Sequence, residues 1–251
     1  MHQIKPMVSI ITVVFNSEAF LEKTILSVIN QSYTDFEYIV VDGGSTDGTL
    51  QIIEKYNTYI SAWISEKDKG LYDAMNKGMD MAKGNYLWFI NSGDEIYSET
   101  VLSEIFSNQN TMHDLIYGET EIIDYKGNIV GMRRHSAPKK LSYKSFRYGM
   151  KVCHQSAIVN SAIAGKYNLN YKFSSDFDWM LEVLKKAQSI YNSGIILSKF
   201  MEGGQTTKNL IPGLKERFAI MSKNYGFVPT LLRHFWLVAR MIWFYAYNRR
   251  I

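Results

Sequence analysis

The run Val8-Ser-Ile-Ile-Thr-Val-Val-Phe15 is β-branched and apolar almost from end to end, the pattern of a central strand covered on both faces. Immediately after it, at Asn16-Ser17, the period changes. Phe20, Leu21, Thr24, Ile25, Val28 and Ile29 share one helical face. Tyr38-Ile-Val-Val41 reads as a second strand, and Gly43-Gly-Ser-Thr-Asp-Gly48 as a turn into a helix over Leu50 to Tyr56. Tyr59 to Ile64 reads as a third strand. Ala74, Met75, Gly78, Met79 and Ala82 then recur at helical spacing, Gly84 stops that helix, and Tyr86-Leu-Trp-Phe-Ile90 is a fourth strand. Four strands alternating with three helices predict a mostly parallel sheet with helices on both faces.

Beyond Thr100 the alternation loosens. Asp114 to Tyr117 and Glu121 to Gly131 read as shorter strands with a hairpin turn at Tyr125-Lys-Gly-Asn128. Lys139 to Lys151, basic and aromatic, reads as a loop or short helix. Phe177 to Ala187 is helical by spacing, and Gly203-Gly204 breaks the chain. The 251 residues suffice for one large α/β domain with a short appendage. A net charge of +4 is too small to point to nucleic acid. The single cysteine, Cys153, excludes an internal disulfide. Met1 to Pro6 is polar and does not read as a signal peptide, so a cytoplasmic location is expected.

Three carboxylates follow the strands: Asp42 after the second, Asp68 after the third and Asp94 after the fourth. Parallel strands end on one edge, where α/β proteins bind ligands in a crevice, so all three are expected on one rim. An anionic diphosphate would meet them only through a divalent cation. Competing motifs fail: no G-x-G-x-x-G follows the first strand, and the chain carries no phosphate-binding G-x-x-x-x-G-K-[ST] and no G-x-S-x-G elbow.

In order and spacing, Val8 to Ser17, Ser27-Val-Ile-Asn-Gln-Ser32, Val41-Asp-Gly-Gly-Ser-Thr-Asp-Gly-Thr49, Glu66 to Gly78, Gly84-Asn-Tyr86 and Phe89-Ile-Asn-Ser-Gly-Asp94 resemble the inverting glycosyltransferases of family 2. The resemblance implies a GT-A fold, a Rossmann-like α/β architecture, with residues 1–98 binding a nucleotide sugar and 99–225 an acceptor. It implies that Asn16, Asp42, Asp68, Asn91 and Asp94 bind a UDP-sugar, with Asp42 at the uracil. The family's Asp-x-Asp-Asp metal motif reads here Asn91-Ser-Gly-Asp94, leaving Asp94 as the one carboxylate for Mn2+ or Mg2+. Within Ser175-Asp-Phe-Asp178, Asp176 matches the general base and Asp178 is its rival. His154, Gln155 and Asp178 fall on the acceptor side.

Residues 226–251 differ in kind. Leu231 to Tyr247 is apolar and aromatic but carries Arg233 and Arg240, with Arg249 and Arg250 following. This predicts a basic amphipathic helix at a membrane surface rather than a span of ~20 apolar residues; the alternative is a helix packed on its own domain. Together with Lys139, Lys140, Lys144, Arg147 and Lys151, the tail points to a lipid-linked acceptor. Relatives that build bacterial O-antigen or capsule repeat units on undecaprenyl diphosphate set the expectation: glucose or galactose transferred to N-acetylglucosaminyl-diphospho-undecaprenol at the inner face of the cell membrane. A non-catalytic sugar-nucleotide- or glycan-binding protein is the second reading.

Overall fold

The computed structural model describes residues 5–107, 112–203 and 209–236. Strand β1 (Val8–Val14) is buried at all seven positions. It pairs in parallel with β2 (Phe36–Asp42) on one side and β4 (Tyr86–Phe89) on the other, and β2 pairs in parallel with β3 (Ala62–Ser65). Side chains alternate between two cores, as strand geometry requires. Ile11, Val13, Ile39, Val41, Leu87 and Phe89 face one; Ile10, Val14, Tyr38, Val40, Tyr86 and Trp88 face the other. Helices α1 (Leu21–Ile29) and α2 (Thr49–Lys55) cover the second face with α4 (Val101–Phe106). Helix α3 (Leu71–Met81) covers the first, with α5 (Ser175–Lys186) and the later α6 (Leu210–Tyr225).

The order β3-β2-β1-β4 locates the crevice. From β1 the chain runs outward to β2 and β3, then crosses back beneath α3 to β4. The reversal leaves a switch point between the C-terminal ends of β1 and β4, where an α/β sheet opens to ligands.

The second half departs from expectation. The two short strands expected from Asp114 onward begin as one continuous strand, β6 (Leu115–Ile123), which turns at 124–128 into β7 (Ile129–Met132). The sheet continues from β4 through antiparallel β8 (Ala157–Asn160) to β6, then to β9 (Ile190–Met201) and the two-residue β5 (Glu95–Ile96). Neither β8 nor β9 announces itself by alternation, because the short β8 is buried at three successive positions and β9 is buried unevenly. The basic segment 139–151 contributes a single 3-10 turn, Tyr143–Phe146. Residues 227–236 are helical and fold back on α6, with Phe218 edge-on to Phe227 and to His234. The remainder of the tail, with Arg240, Arg249 and Arg250, lies outside the described residues, as does Gly204.

Helix α3 sits close to the sheet at Gly78, where an added Cβ would lie 2.5 Å from Ile11 Cγ2 and 3.4 Å from Val41 Cγ2. Gly78→Ala, favourable for an isolated helix, is therefore expected to cost about 1–3 kcal/mol through overpacking, read as a lower urea midpoint at unchanged m-value.

Candidate active site

Asp42 ends β2 with 0% of its surface exposed. Its Oδ2 accepts from Gly44 N (3.1 Å), Ser45 N (3.0 Å) and Ser65 Oγ (2.6 Å), and its Oδ1 from the Ser45 hydroxyl. A carboxylate so supplied with donors is a scaffold. It ties the turn after β2 to the end of β3. The turn in turn holds Asn16: Ser45 Oγ accepts from Asn16 N at 2.7 Å, and Asn16 Oδ1 accepts from Thr46 N at 2.8 Å. Asn16 has φ +46°, a left-handed conformation that asparagine tolerates better than most residues. Gly43 leaves room for Asp68, whose carboxylate would collide with any Cβ there; Asp68 Oδ1 also accepts from Gly70 N at 2.8 Å. The exposed Phe15 ring borders the same hollow.

Across the switch point Ser17 and Ser92 bond through their hydroxyls at 2.7 Å, joining the ends of β1 and β4. Next to Ser92, Asn91 brings Nδ2 to 3.4 Å from His154 Nε2, while its buried Oδ1 has no partner among the described residues. With Asn91 donating, the imidazole proton falls on Nδ1, which faces Asp176 Oδ2 at 3.7 Å. Asp176 Oδ1 accepts from Tyr72 Oη at 3.1 Å and from its neighbour Phe177 N at 2.8 Å. The Asp176 side chain keeps 15% of its surface exposed. Burial pushes its pKa upward, but His154, Arg217 and the Phe177 N–H outweigh burial and hold it below the usual carboxylate range. It is thus an ionised acceptor of protons at neutral pH.

His154 and Gln155, adjacent in sequence, serve different carboxylates. Gln155 Nε2 donates to Asp94 Oδ2 at 2.8 Å, and Met201 N donates to Asp94 Oδ1 at 3.0 Å. Asp178 lies two residues beyond Asp176 and is turned toward Asn168 and Lys223, where burial raises its pKa. Of the two, Asp176 faces His154.

Asp94 is the carboxylate expected to hold Mn2+ or Mg2+. Magnesium or manganese takes oxygen ligands, commonly one or two carboxylates plus phosphates. Asp94 supplies one carboxylate, 4% exposed, with both oxygens engaged by protein donors and its pKa pushed up by burial to about 6. Among the described residues no three His, Cys, Asp or Glu side chains group together. On its own this donor set does not complete the oxygen shell of a divalent cation. A hollow of roughly 390 Å³, bordered by Lys23, Glu95, Tyr97 and Lys199, lies between α1 and β5.

Residues 9–165 match the model of glycosyl transferase family 2. The chain belongs to that family. An uncharacterized glycosyltransferase of Mycobacterium tuberculosis is 29% identical over 98% of this chain and 94% of its own length. A PGL/p-HBAD biosynthesis glycosyltransferase of Mycobacterium bovis is 28% identical over 82% and 81%. The fold matches S. aureus TarS 1-349 in complex with UDP, with TM-score 0.68, 18% identity and coverage of 86% of this chain and 64% of that one. It also matches the mannosyltransferase PcManGT from Pyrobaculum calidifontis in complex with GDP-Man and Mn2+, with TM-score 0.62 and 12% identity over 94% and 76%. The mixed α/β sheet is accordingly the GT-A fold, and the protein is a glycosyltransferase.

Sequence reading passed over Tyr72, the hydroxyl donor to Asp176. Its helical spacing with Met75 marks a core residue, and its ring is indeed buried; only the tertiary fold reveals where the hydroxyl ends.

Because the folded-state pKa of Asp94 is raised, the stability it contributes is fully present below the unfolded carboxylate pKa near ~4 and is lost as pH rises through about 6. Wild type should lose on the order of 2–3 kcal/mol relative to Asp94→Asn between pH 4 and 7, measured as paired urea denaturations. Parallel stability curves for the two proteins would contradict the assignment.

Proposed function

We propose that this glycosyltransferase moves a hexose, glucose or galactose, from a UDP-sugar to a sugar carried on a lipid diphosphate, with inversion at the anomeric carbon. The observation that carries the reading is the Asp176 carboxylate, which accepts from the Tyr72 hydroxyl and is held ionised by His154, whose ring faces it at 3.7 Å and lies 3.4 Å from Asn91 at the end of β4. A base there takes the acceptor's hydroxyl proton as that oxygen bonds to the anomeric carbon. The bond from that carbon to the nucleoside diphosphate breaks on the opposite side, and an α-linked donor yields a β-linked product.

The donor lies, on this reading, across the turn 43–48 that Asp42 fixes, between Phe15, Asp68 and the paired Ser17 and Ser92. The fold's likeness to TarS bound to UDP supports that nucleotide. The acceptor's lipid is supported by helix 227–236, where Val228, Leu231, Leu232 and Phe235 form an exposed apolar face at i, i+3, i+4 and i+7 spacing. Basic residues of the tail suit an anionic bilayer, the inner face of a bacterial cell membrane. Among the described residues no helix is long and apolar enough to cross a membrane. A role in O-antigen or capsule assembly completes the proposal.

The competing reading, a sugar-nucleotide-binding protein without turnover, draws on the single carboxylate of Asn91-Ser-Gly-Asp94. Asp176→Asn decides between them. Transfer from a UDP-sugar panel to a synthetic N-acetylglucosaminyl-diphospho-lipid should fall at least about 10²-fold while UDP affinity by calorimetry is kept. Absence of turnover in the wild type with every donor tried, or indifference to the substitution, would favour the binding protein.

For the membrane, Leu232→Glu combined with Phe235→Glu should sharply reduce co-sedimentation with phosphatidylglycerol vesicles. Wild type that stays in the supernatant with such vesicles defeats the anchoring idea.

A further inference from the structure

Three arginines stand around the acceptor side of Asp176 with buried guanidinium nitrogens that have no hydrogen-bond partner among the described residues: Arg147 Nε, Arg217 Nε and Arg233 Nη1. None of the three is within ion-pair distance of a carboxylate among those residues. Buried N–H donors are normally satisfied, and three unsatisfied cationic ones in one region call for an anionic acceptor.

Three separate segments supply them. Arg217 projects from α6 to within electrostatic reach of the Asp176 carboxylate. Two turns along the same helix, ~12 Å at the usual rise, Tyr225 packs under the Arg147 guanidinium, 5.6 Å from its ring centroid. Arg233, from helix 227–236, acts electrostatically on that same tyrosine. Arg147 is anchored through its neighbour Phe146, whose ring stacks on Phe177 at 5.6 Å, next to Asp176. The acid closest in sequence, Glu216, is already committed to Lys172 N and Phe173 N. The strip therefore begins at the base and becomes more cationic away from it.

We propose that Arg147, Arg217 and Arg233 bind the phosphoryl groups of the acceptor, with its sugar lying between them and Asp176. The assignment rests on Asp176 being the base-side group, and it selects one member of the predicted Lys139, Lys140, Lys144, Arg147 and Lys151 cluster. Lys139, Lys140 and Lys144 are exposed, whereas Arg147 turns inward. Arginine's planar fork suits a diphosphate, to which it can bond in bidentate fashion. The placement also agrees with helix 227–236 presenting Val228, Leu231, Leu232 and Phe235 outward: Arg233, between them in sequence, faces the opposite way, so a lipid diphosphate could keep its chain in the bilayer.

The test measures binding without turnover. Inorganic pyrophosphate is titrated by calorimetry into the full-length protein with UDP at saturation, so that the donor site is filled. Wild type should bind it, and Arg147→Gln, Arg217→Gln and Arg233→Gln should each weaken binding about tenfold or more. The corresponding lysine variants should recover part of that loss, which separates missing charge from damaged fold. Dodecyl diphosphate should displace pyrophosphate. Failure of wild type to bind pyrophosphate on top of UDP, affinity unchanged from wild type in all three glutamine variants, or loss of UDP affinity as the main effect would overturn the site. So would exclusion of dodecyl diphosphate while free pyrophosphate binds. The function of Asp176 is judged separately, since Asp176→Asn should leave pyrophosphate bound even if the base assignment fails.

Discussion

A carboxylate sealed from solvent organises the front of this molecule. Asp42 has given up its hydration, and only a full set of donors makes that tolerable. It finds them in two backbone N–H groups and two hydroxyls drawn from the turn after β2 and from the end of β3. Once those bonds form, the turn cannot move independently of the sheet. Ser45 then fixes Asn16, and Ser17 reaches Ser92. Four strand ends become one rigid rim through a single buried charge. The charge acts on geometry: the residue that sequence marks as a ligand contact builds the surface on which a ligand can lie.

Two further carboxylates show how environment divides chemistry between like groups. Asp94 and Asp176 are both largely buried, yet their proton affinities move in opposite directions. Asp94 has one amide N–H and one carboxamide as donors, and burial prevails. Asp176 has an imidazole, the field of Arg217 and a backbone N–H, and these prevail over burial. Divergence of this kind between acids in one region separates catalytic roles. It leaves Asp176 able to accept a proton at neutral pH, and it makes Asp94 a structural tie between β4, Gln155 and the end of β9.

The first ninety residues are legible because β1, β4 and most of β2 are buried on both faces and the helices on one, so hydrophobic period separates them. Parallel topology predicts that Asp42, Asp68 and Asp94 end on one edge, and in the fold Asp68 lies against Gly43, next to Asp42. What sequence could not show was direction. Asp94 faces inward to Met201, Asp178 faces Lys223, and the Tyr72 hydroxyl crosses to Asp176 over a separation of 104 residues. These depend on contacts between segments with no shared periodicity. β8 and β9 were missed for a related reason: mid-sheet strands with mixed burial carry no alternation, and β9 has only Leu197 and Ser198 fully covered. The hairpin turn was read correctly because Asp124 and Gly127 act locally; the aspartate bonds Lys126 N and Asn128 N, and Gly127 takes φ +89°.

The helix after Gly226 illustrates why a residue's face matters more than its charge. Arg233 read in sequence belongs with Arg240 as one basic stripe turned to lipid headgroups. In the fold, Thr230, Arg233 and His234 turn toward α6, with Thr230 fully covered and His234 against Phe218, while the aliphatic residues face out. An arginine pulled inward against α6 stays charged, so the packing demands an anion or a carboxylate nearby, and the described residues supply no carboxylate within pairing distance. A surface that is apolar outside and cationic inside joins two phases. The proposed membrane-held acceptor with a phosphorylated head would serve both sides at once, whereas a freely soluble sugar would leave the outer face without a partner and the inner charges without a counter-ion.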